Sequence, residues 1–160
     1  FATDNLKIYF KKKLRKKKFN IIFRYLKNKN SYLKKKKFDV IIYFRKHKNK
    51  NINFFTNIAK CLVDKNINVI CYGDKLNIKG VKNFGLISHK NSLKLIMNSK
   101  IGINSAENFY TFFMMDCINS GTHVLCDKKT ASSNILFKKK IILSDYEKLN
   151  FTCNKLLKFL

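Results

Sequence analysis

Arg45 and Lys50 follow an apolar run and are separated by four residues, while Glu107, Asn108 and Asp116 lead toward Gly121. Prepositioned cations stabilise charge that develops on a diphosphate. Carboxylates and amides accept hydrogen bonds from hydroxyl groups. Two such sets, far apart in the chain, do chemistry together only if the fold brings them to one place.

The elements that must position them alternate in type. Val40 to Phe44 is a continuous run of β-formers, as expected of a strand covered on both faces. Residues 53–64 place Phe54, Phe55, Ile58, Ala59, Leu62 and Val63 on one helical stripe. A strand is expected over 68–72, ending at Gly73-Asp74, where Asp74 reads as a turn residue. Another is expected over 81–87, interrupted by Gly85. Ser88 then caps a short helix carrying Leu93, Ile96 and Met97. Strand 101–103, an apolar helix over 109–119 and strands 123–126 and 141–143 follow. Ser144 with Glu147 reads as a capping box for a terminal helix bearing Tyr146, Leu149, Cys153, Leu156, Leu157 and Leu160. Strands alternating with helices imply right-handed crossovers and a Rossmann-like α/β domain, a parallel sheet with helices on both faces. Ligands in such sheets sit beyond the carboxyl ends of the strands, and both polar clusters follow strand ends.

Charge divides the chain near Phe38. Residues 1–37 are dense in lysine and contain one acid, Asp4, and read as a basic linker or flanking extension; residues 38–160 form the α/β domain. The formal charge of +26 points first to nucleic acid or an anionic membrane. Lysine supplies most of it, however, and arginine, the better planar reader of phosphates and bases, occurs only at 15, 24 and 45. Most of the lysines are therefore expected to be solvated surface, with peripheral membrane contact through residues 7–37 as an expected extra role of the basic segment. Its Phe10, Phe19, Phe23 and Tyr25 supply the alternative, stacking faces of a basic nucleic-acid-binding module. The five cysteines show no C-x-x-C pair and are expected to be buried free thiols in a reducing cytosol. No apolar run approaches the about 20 residues of a spanning helix, so a cytoplasmic protein, peripheral at most on the inner face of the membrane, is expected. The chain opens on Phe1 rather than Met and is expected to be a fragment or a processed product.

Residues 38 to 127 together resemble the donor-binding, carboxyl-terminal half of a retaining glycosyltransferase of the GT-B fold, the large group-1 family. Arg45 and Lys50 keep its R-x4-K spacing after a strand, Tyr72-Gly73-Asp74 matches a strand ending in x-G-D, and Glu107-Asn108-Phe109-Tyr110 stands at its E-x-F-G turn. Asp116 lies five residues before Gly121-Thr122, as the family's second glutamate does. Departures are plain: Phe44 and Asn51 replace glycines, His123 replaces a proline, and the spacing back from Asp116 lands on Asn108 rather than Glu107. The resemblance implies hexosyl transfer from a nucleotide-sugar to a glycan or lipid-linked acceptor. It implies Arg45 and Lys50 on the diphosphate, Asp116 on ribose hydroxyls, and Glu107 or Asn108 on the transferred sugar. Backbone N–H groups near Phe109 and Tyr110 would add to the phosphate contacts. No metal or other cofactor is implied, and the sequence has no D-x-D pair. A family member that binds but does not turn over is a third reading.

Overall fold

The computed structural model describes residues 36–131 and 138–160. Six strands form one sheet: β1 (Phe38–Phe44), β2 (Val69–Gly73), β3 (Lys82–Asn83), β4 (Ser99–Ile103), β5 (His123–Asp127) and β6 (Ile141–Ser144). Every pairing is parallel and the spatial order is β3-β2-β1-β4-β5-β6. This is the Rossmann-like α/β architecture expected, and the order reverses between β1 and β4.

The helices are α1 (Ile52–Val63), α2 (His89–Met97), α3 (Phe112–Asn119) and α4 (Leu149–Leu157). Alternation along the strands divides the core in two. Val40, Ile42 and Phe44 meet α1 and α4 on one face, through Phe55, Ile58, Leu62 and Leu156. On the other, Ile41 and Ile70 meet α2 and α3 through Ile96, Phe113, Met114 and Cys117. Each fully buried Ile, Leu or Phe contributes about 1.5–3 kcal/mol. Helix α3 sits tight on β4 because Gly102 has no side chain; a Cβ there would lie 2.6 Å from Cys117 Sγ.

Four expectations need correction. The strand read over 81–87 is only two residues long. Gly85 turns the chain at φ +68° directly after the β3 pairing with β2, and the Asn83 side chain bonds the backbone of Leu76 and Val81 in the preceding loop. The helix read from residue 109 begins at Phe112, because Asn104 Nδ2 draws the carbonyls of Asn108 and Phe109 into a turn and Thr111 provides the cap.

The Ser144–Glu147 capping box does not form. Ser144 ends β6 and its hydroxyl meets that of Thr152 at 2.7 Å, while α4 starts only at Leu149, with Lys148 before it. Tyr146 explains the delay: its ring stacks on Phe54 with centroids 3.8 Å apart, and its hydroxyl donates to Asn104 O and Leu125 O. Finally, Cys61 on α1 and Cys153 on α4 form a disulfide with Cα atoms 6.6 Å apart, since both helices pack on one face of the sheet; Cys71, Cys117 and Cys126 are free and buried.

Residues 1–35 of the basic extension lie outside the described residues, and Lys36 and Lys37 are already tied to the Met97 and Asn98 carbonyls at the end of α2. Among the described residues no helix is long and apolar enough to cross a membrane.

Candidate functional site

Strand β1 delivers the chain at Phe44 into the loop 45–51, and Asn51 starts α1 by accepting from Phe54 N–H at 3.1 Å. The loop is pinned from β2. Gly73 adopts φ +100°, which lets Asp74 fold back so that its N–H donates to Phe44 O. Its carboxylate accepts from Lys46 N–H at 2.6 Å and lies 3.6 Å from Arg45 Nε. Arg45 also donates to the Tyr43 hydroxyl at 3.2 Å, and Tyr43 is itself stacked on Tyr72 with centroids 4.9 Å apart. The cation is thus aimed from two sides. Asp74, read as a turn residue, is the anchor of the loop.

The second loop winds around Asn104, which is buried immediately after β4. Its amide donates to the Asn108 and Phe109 carbonyls, its oxygen accepts from the Thr111 hydroxyl at 2.6 Å, and its own carbonyl accepts from Tyr146. This winding returns Glu107 toward β1. Lys50 Nζ donates to Glu107 Oε2 at 2.7 Å, and Asn51 N–H donates to Oε1 at 3.3 Å. Burial pushes the Glu107 carboxyl up, but the hydrogen bond from Lys50 and its positive charge outweigh it and leave the group below its ordinary value.

Asp116 sits in the middle of α3 with its side chain about one-fifth exposed, and Oδ2 lies 3.0 Å from Nε2 of His89, the first residue of α2. An unpaired carboxylate on so apolar a helix is costly to cover; here the imidazole N–H partners it.

Two cavities open at this edge. One, of about 180 Å³, is lined by Tyr43, Arg45, Lys50, Asn104, Ser105 and Thr111, with aromatic walls. The other, of about 360 Å³, is lined by Arg45, Tyr72, Gly73, His89, Ser92 and Asp116, among others. Tyr43, Arg45, Phe112 and Phe113 line both. Phe112, at the start of α3, is 93% exposed there. Arg45 therefore shares one cavity with Lys50 and the other with Asp116.

Of the residues singled out from sequence, Arg45, Lys50 and Asp116 line these cavities, and Glu107 joins them through Lys50. Asn108 is exposed and contributes its carbonyl to the Asn104 turn; Phe109 is buried core, and Tyr110 packs against it with centroids 4.9 Å apart. None of these three lines either cavity. The helix N-terminus at the cavities belongs to Phe112 and Phe113, capped by Thr111. Asn104, His89 and Phe112 were not singled out. Asn104 and His89 each stand just past a strand end or helix start at the carboxyl edge, so position alone marks them. Among the described residues no group of three His, Cys, Asp or Glu side chains is placed to hold a metal ion.

No protein-family model matches the sequence, and no curated protein matches it. Solved structures do resemble the fold. The structure of TarM is similar over 98% of this chain and 35% of its own, with a TM-score of 0.70 at 15% identity. E. coli heptosyltransferase WaaC, crystallised with ADP-2-deoxy-2-fluoro heptose, matches 81% of this chain and 44% of its own, with a TM-score of 0.54 at 10% identity. The pneumococcal O-GlcNAc transferase GtfA, in complex with UDP and GlcNAc, matches 81% of this chain and 29% of its own, with a TM-score of 0.54 at 15% identity. These neighbours are GT-B glycosyltransferases, and at such low identity the likeness is one of fold. The chain spans about a third of the length of TarM. The nucleic-acid-binding alternative is not favoured by these likenesses.

Proposed function

We propose that this chain is the donor-binding half of a glycosyltransferase that moves a sugar from a nucleotide-sugar to a glycan or lipid-linked acceptor. The observation that carries the reading is that Arg45 lines both cavities, with Lys50 on one side and Asp116 on the other, beside the point where the strand order reverses. WaaC and GtfA hold, respectively, an ADP-heptose analogue and UDP with GlcNAc, which supports the same ligand class here. Arg45 and Lys50 take the diphosphate and stabilise the charge that grows on its leaving oxygen in a water-poor cleft. The N–H groups at the start of α3 add to this. Asp116 accepts from ribose hydroxyls, and Glu107, beside Lys50, accepts from the transferred sugar; Asn108 would reach that sugar only if its turn reorganised. No metal is assigned a part. Retention of configuration and membership of the group-1 family belong to this proposal. Turnover is proposed to need an acceptor-binding domain in addition to the residues described.

The test is calorimetric titration and thermal unfolding with UDP, ADP, GDP and their sugar conjugates. A ligand at 100 times its Kd raises stability by about 2.7 kcal/mol. Lys50→Ala and Asp116→Asn are expected to remove the shift. Absence of a shift with every one of these ligands refutes the reading.

A further inference from the structure

The two edges of the sheet differ sharply in charge. Of the nine acids in the chain, Asp4 lies outside the described residues, and six of the other eight stand on the carboxyl side, Asp74, Glu107, Asp127 and Asp145 among them. The amino edge has only Asp39 and Asp64, and Asp39 is held by Lys100 at 2.7 Å. Lysines are spread everywhere, so it is this segregation of acids that leaves the amino edge strongly positive.

The same edge carries an exposed aromatic ring. Phe159, just after α4, is 51% exposed, with its centroid 6.4 Å from that of His123 at the start of β5. Contacts gather cations around it: Lys140 Nζ donates to Gly121 O, two residues before His123, and Lys100 Nζ donates to Leu160 O. Lys37, Lys138, Lys139 and Lys158 are exposed on the same side. Burial first, and then the neighbouring positive charge of Lys140, hold both Lys36 and His123 below their ordinary values, so an anionic partner relieves repulsion already present.

We infer that this amino edge is a docking face for an anionic phospholipid bilayer, with Phe159 entering the headgroup layer and the exposed lysines around it meeting lipid phosphates. Lysine point charges suit such a surface, each adding to affinity independently. Nucleic acid suits it less: single strands are bound on stacked aromatics and by arginine, and the one arginine among the described residues, Arg45, is at the opposite edge. Docked in this way, the cleft at Arg45 and Asp116 faces the aqueous phase. An acceptor reaching it extends away from the bilayer.

Flotation of the full chain with vesicles of 30% phosphatidylglycerol in phosphatidylcholine, and with pure phosphatidylcholine vesicles, tests this. Binding is expected only with the anionic lipid and should weaken steeply with salt. The exposed-site variant Lys138→Gln/Lys139→Gln/Lys158→Gln should bind at least tenfold more weakly, and Phe159→Ala severalfold, with far-ultraviolet circular dichroism and nucleotide titrations unchanged. Equal binding to both vesicle types, or a triple variant within twofold of the parent, overturns the proposal. So does a triple variant that loses affinity for a single-stranded RNA 20-mer but not for vesicles, which would assign the face to nucleic acid.

Discussion

Lys50 and Glu107, 57 positions apart in the chain, bring their charged groups to 2.7 Å at the carboxyl edge. The pair ties the loop after β1 to the loop after β4, and it sets the group proposed for the diphosphate against the group proposed for the sugar. Lys50→Ala is expected to weaken UDP and ADP binding at least tenfold, about 1.4 kcal/mol. It should also cost about 1 kcal/mol of stability by leaving a partly covered carboxylate without its donor. Glu107→Gln keeps the cation and frees it, so UDP should bind as well or better while a UDP-sugar loses its advantage over UDP. Equal losses for both ligands in both variants would mean that the pair only holds the loops together.

Acid should unfold the protein in two stages. Glu107 and Asp39 have their carboxyl groups held below the ordinary value; burial opposes this in both, and Lys50 and Lys100 override it. His123 is also lowered, first by burial and then by Lys140 and Lys36. In each case the unfolded chain binds the proton more readily than the folded one, so stability rises with pH. The contribution is complete above the unfolded values, about 6.5 for His and about 4 for the carboxyls, and is lost as pH falls through the folded ones. Melting temperature should therefore be level above about pH 7, decline gently below about 6.5 and fall steeply below about 4. His123→Gln is expected to flatten the upper decline, and Asp39→Asn or Glu107→Gln the lower. An unchanged profile in all three variants contradicts these assignments.

Much of this was readable from sequence for a simple reason. Val40 to Phe44 and the α1 stripe have periodicities that local chemistry sets, and a parallel sheet sends everything after a strand to one edge, so Arg45, Lys50 and Asp116 converge without knowledge of any contact. What sequence missed depends on partners distant in the chain. Asn104 shortens α3 by gripping the carbonyls of the preceding turn, Tyr146 postpones α4 by stacking on Phe54, and Cys61 finds Cys153 across 92 residues. His89 is marked only by its place at the start of α2, because its partner Asp116 stands 27 residues away.

Gly73 should tolerate substitution far less than Gly85. Both have positive φ, but a Cβ on Gly73 would lie 2.2 Å from Phe44 O, whereas one on Gly85 meets nothing within 4 Å. Gly85→Ala is expected to cost about 1 kcal/mol, the conformational penalty alone. Gly73→Ala should cost about 3 kcal/mol, because β2 must move away from β1. It should also weaken nucleotide binding, since Gly73 lines the larger cavity and orients Asp74. Chemical denaturation of the two variants provides the comparison, and equal costs would contradict it.

Reduction should loosen the α1–α4 face without dissolving it. The Cys61–Cys153 bond closes a loop of 92 positions, and a bond of this kind contributes about 2–4 kcal/mol. A reductant is therefore expected to lower the melting temperature by about 5–10 °C, with Phe55, Ile58 and Leu156 still packed. Alkylation followed by mass spectrometry should label Cys61 first after reduction. Cys71 and Cys126, with thiols pushed up to about 12 by burial, and the fully buried Cys117 should react only on unfolding. Equal melting temperatures with and without reductant contradict the staple.

The His89 and Asp116 side chains should act on nucleotide as a unit. Helix α3 is apolar around Asp116, and the imidazole N–H directed at Oδ2 holds the carboxylate in one orientation along the wall of the larger cavity. On the proposed reading, Oδ1 then accepts from a ribose hydroxyl. Asp116→Asn should weaken UDP about tenfold and 2′-deoxy-UDP less, because part of the loss is a hydroxyl contact. His89→Ala leaves the carboxylate in place but frees its rotation, so a loss of about threefold is expected. The double variant should bind no worse than Asp116→Asn alone, since a positioning residue has nothing left to position. If the two losses simply multiply, His89 touches the ligand independently; if His89→Ala alone matches Asp116→Asn, the imidazole rather than the carboxylate is the main ribose contact.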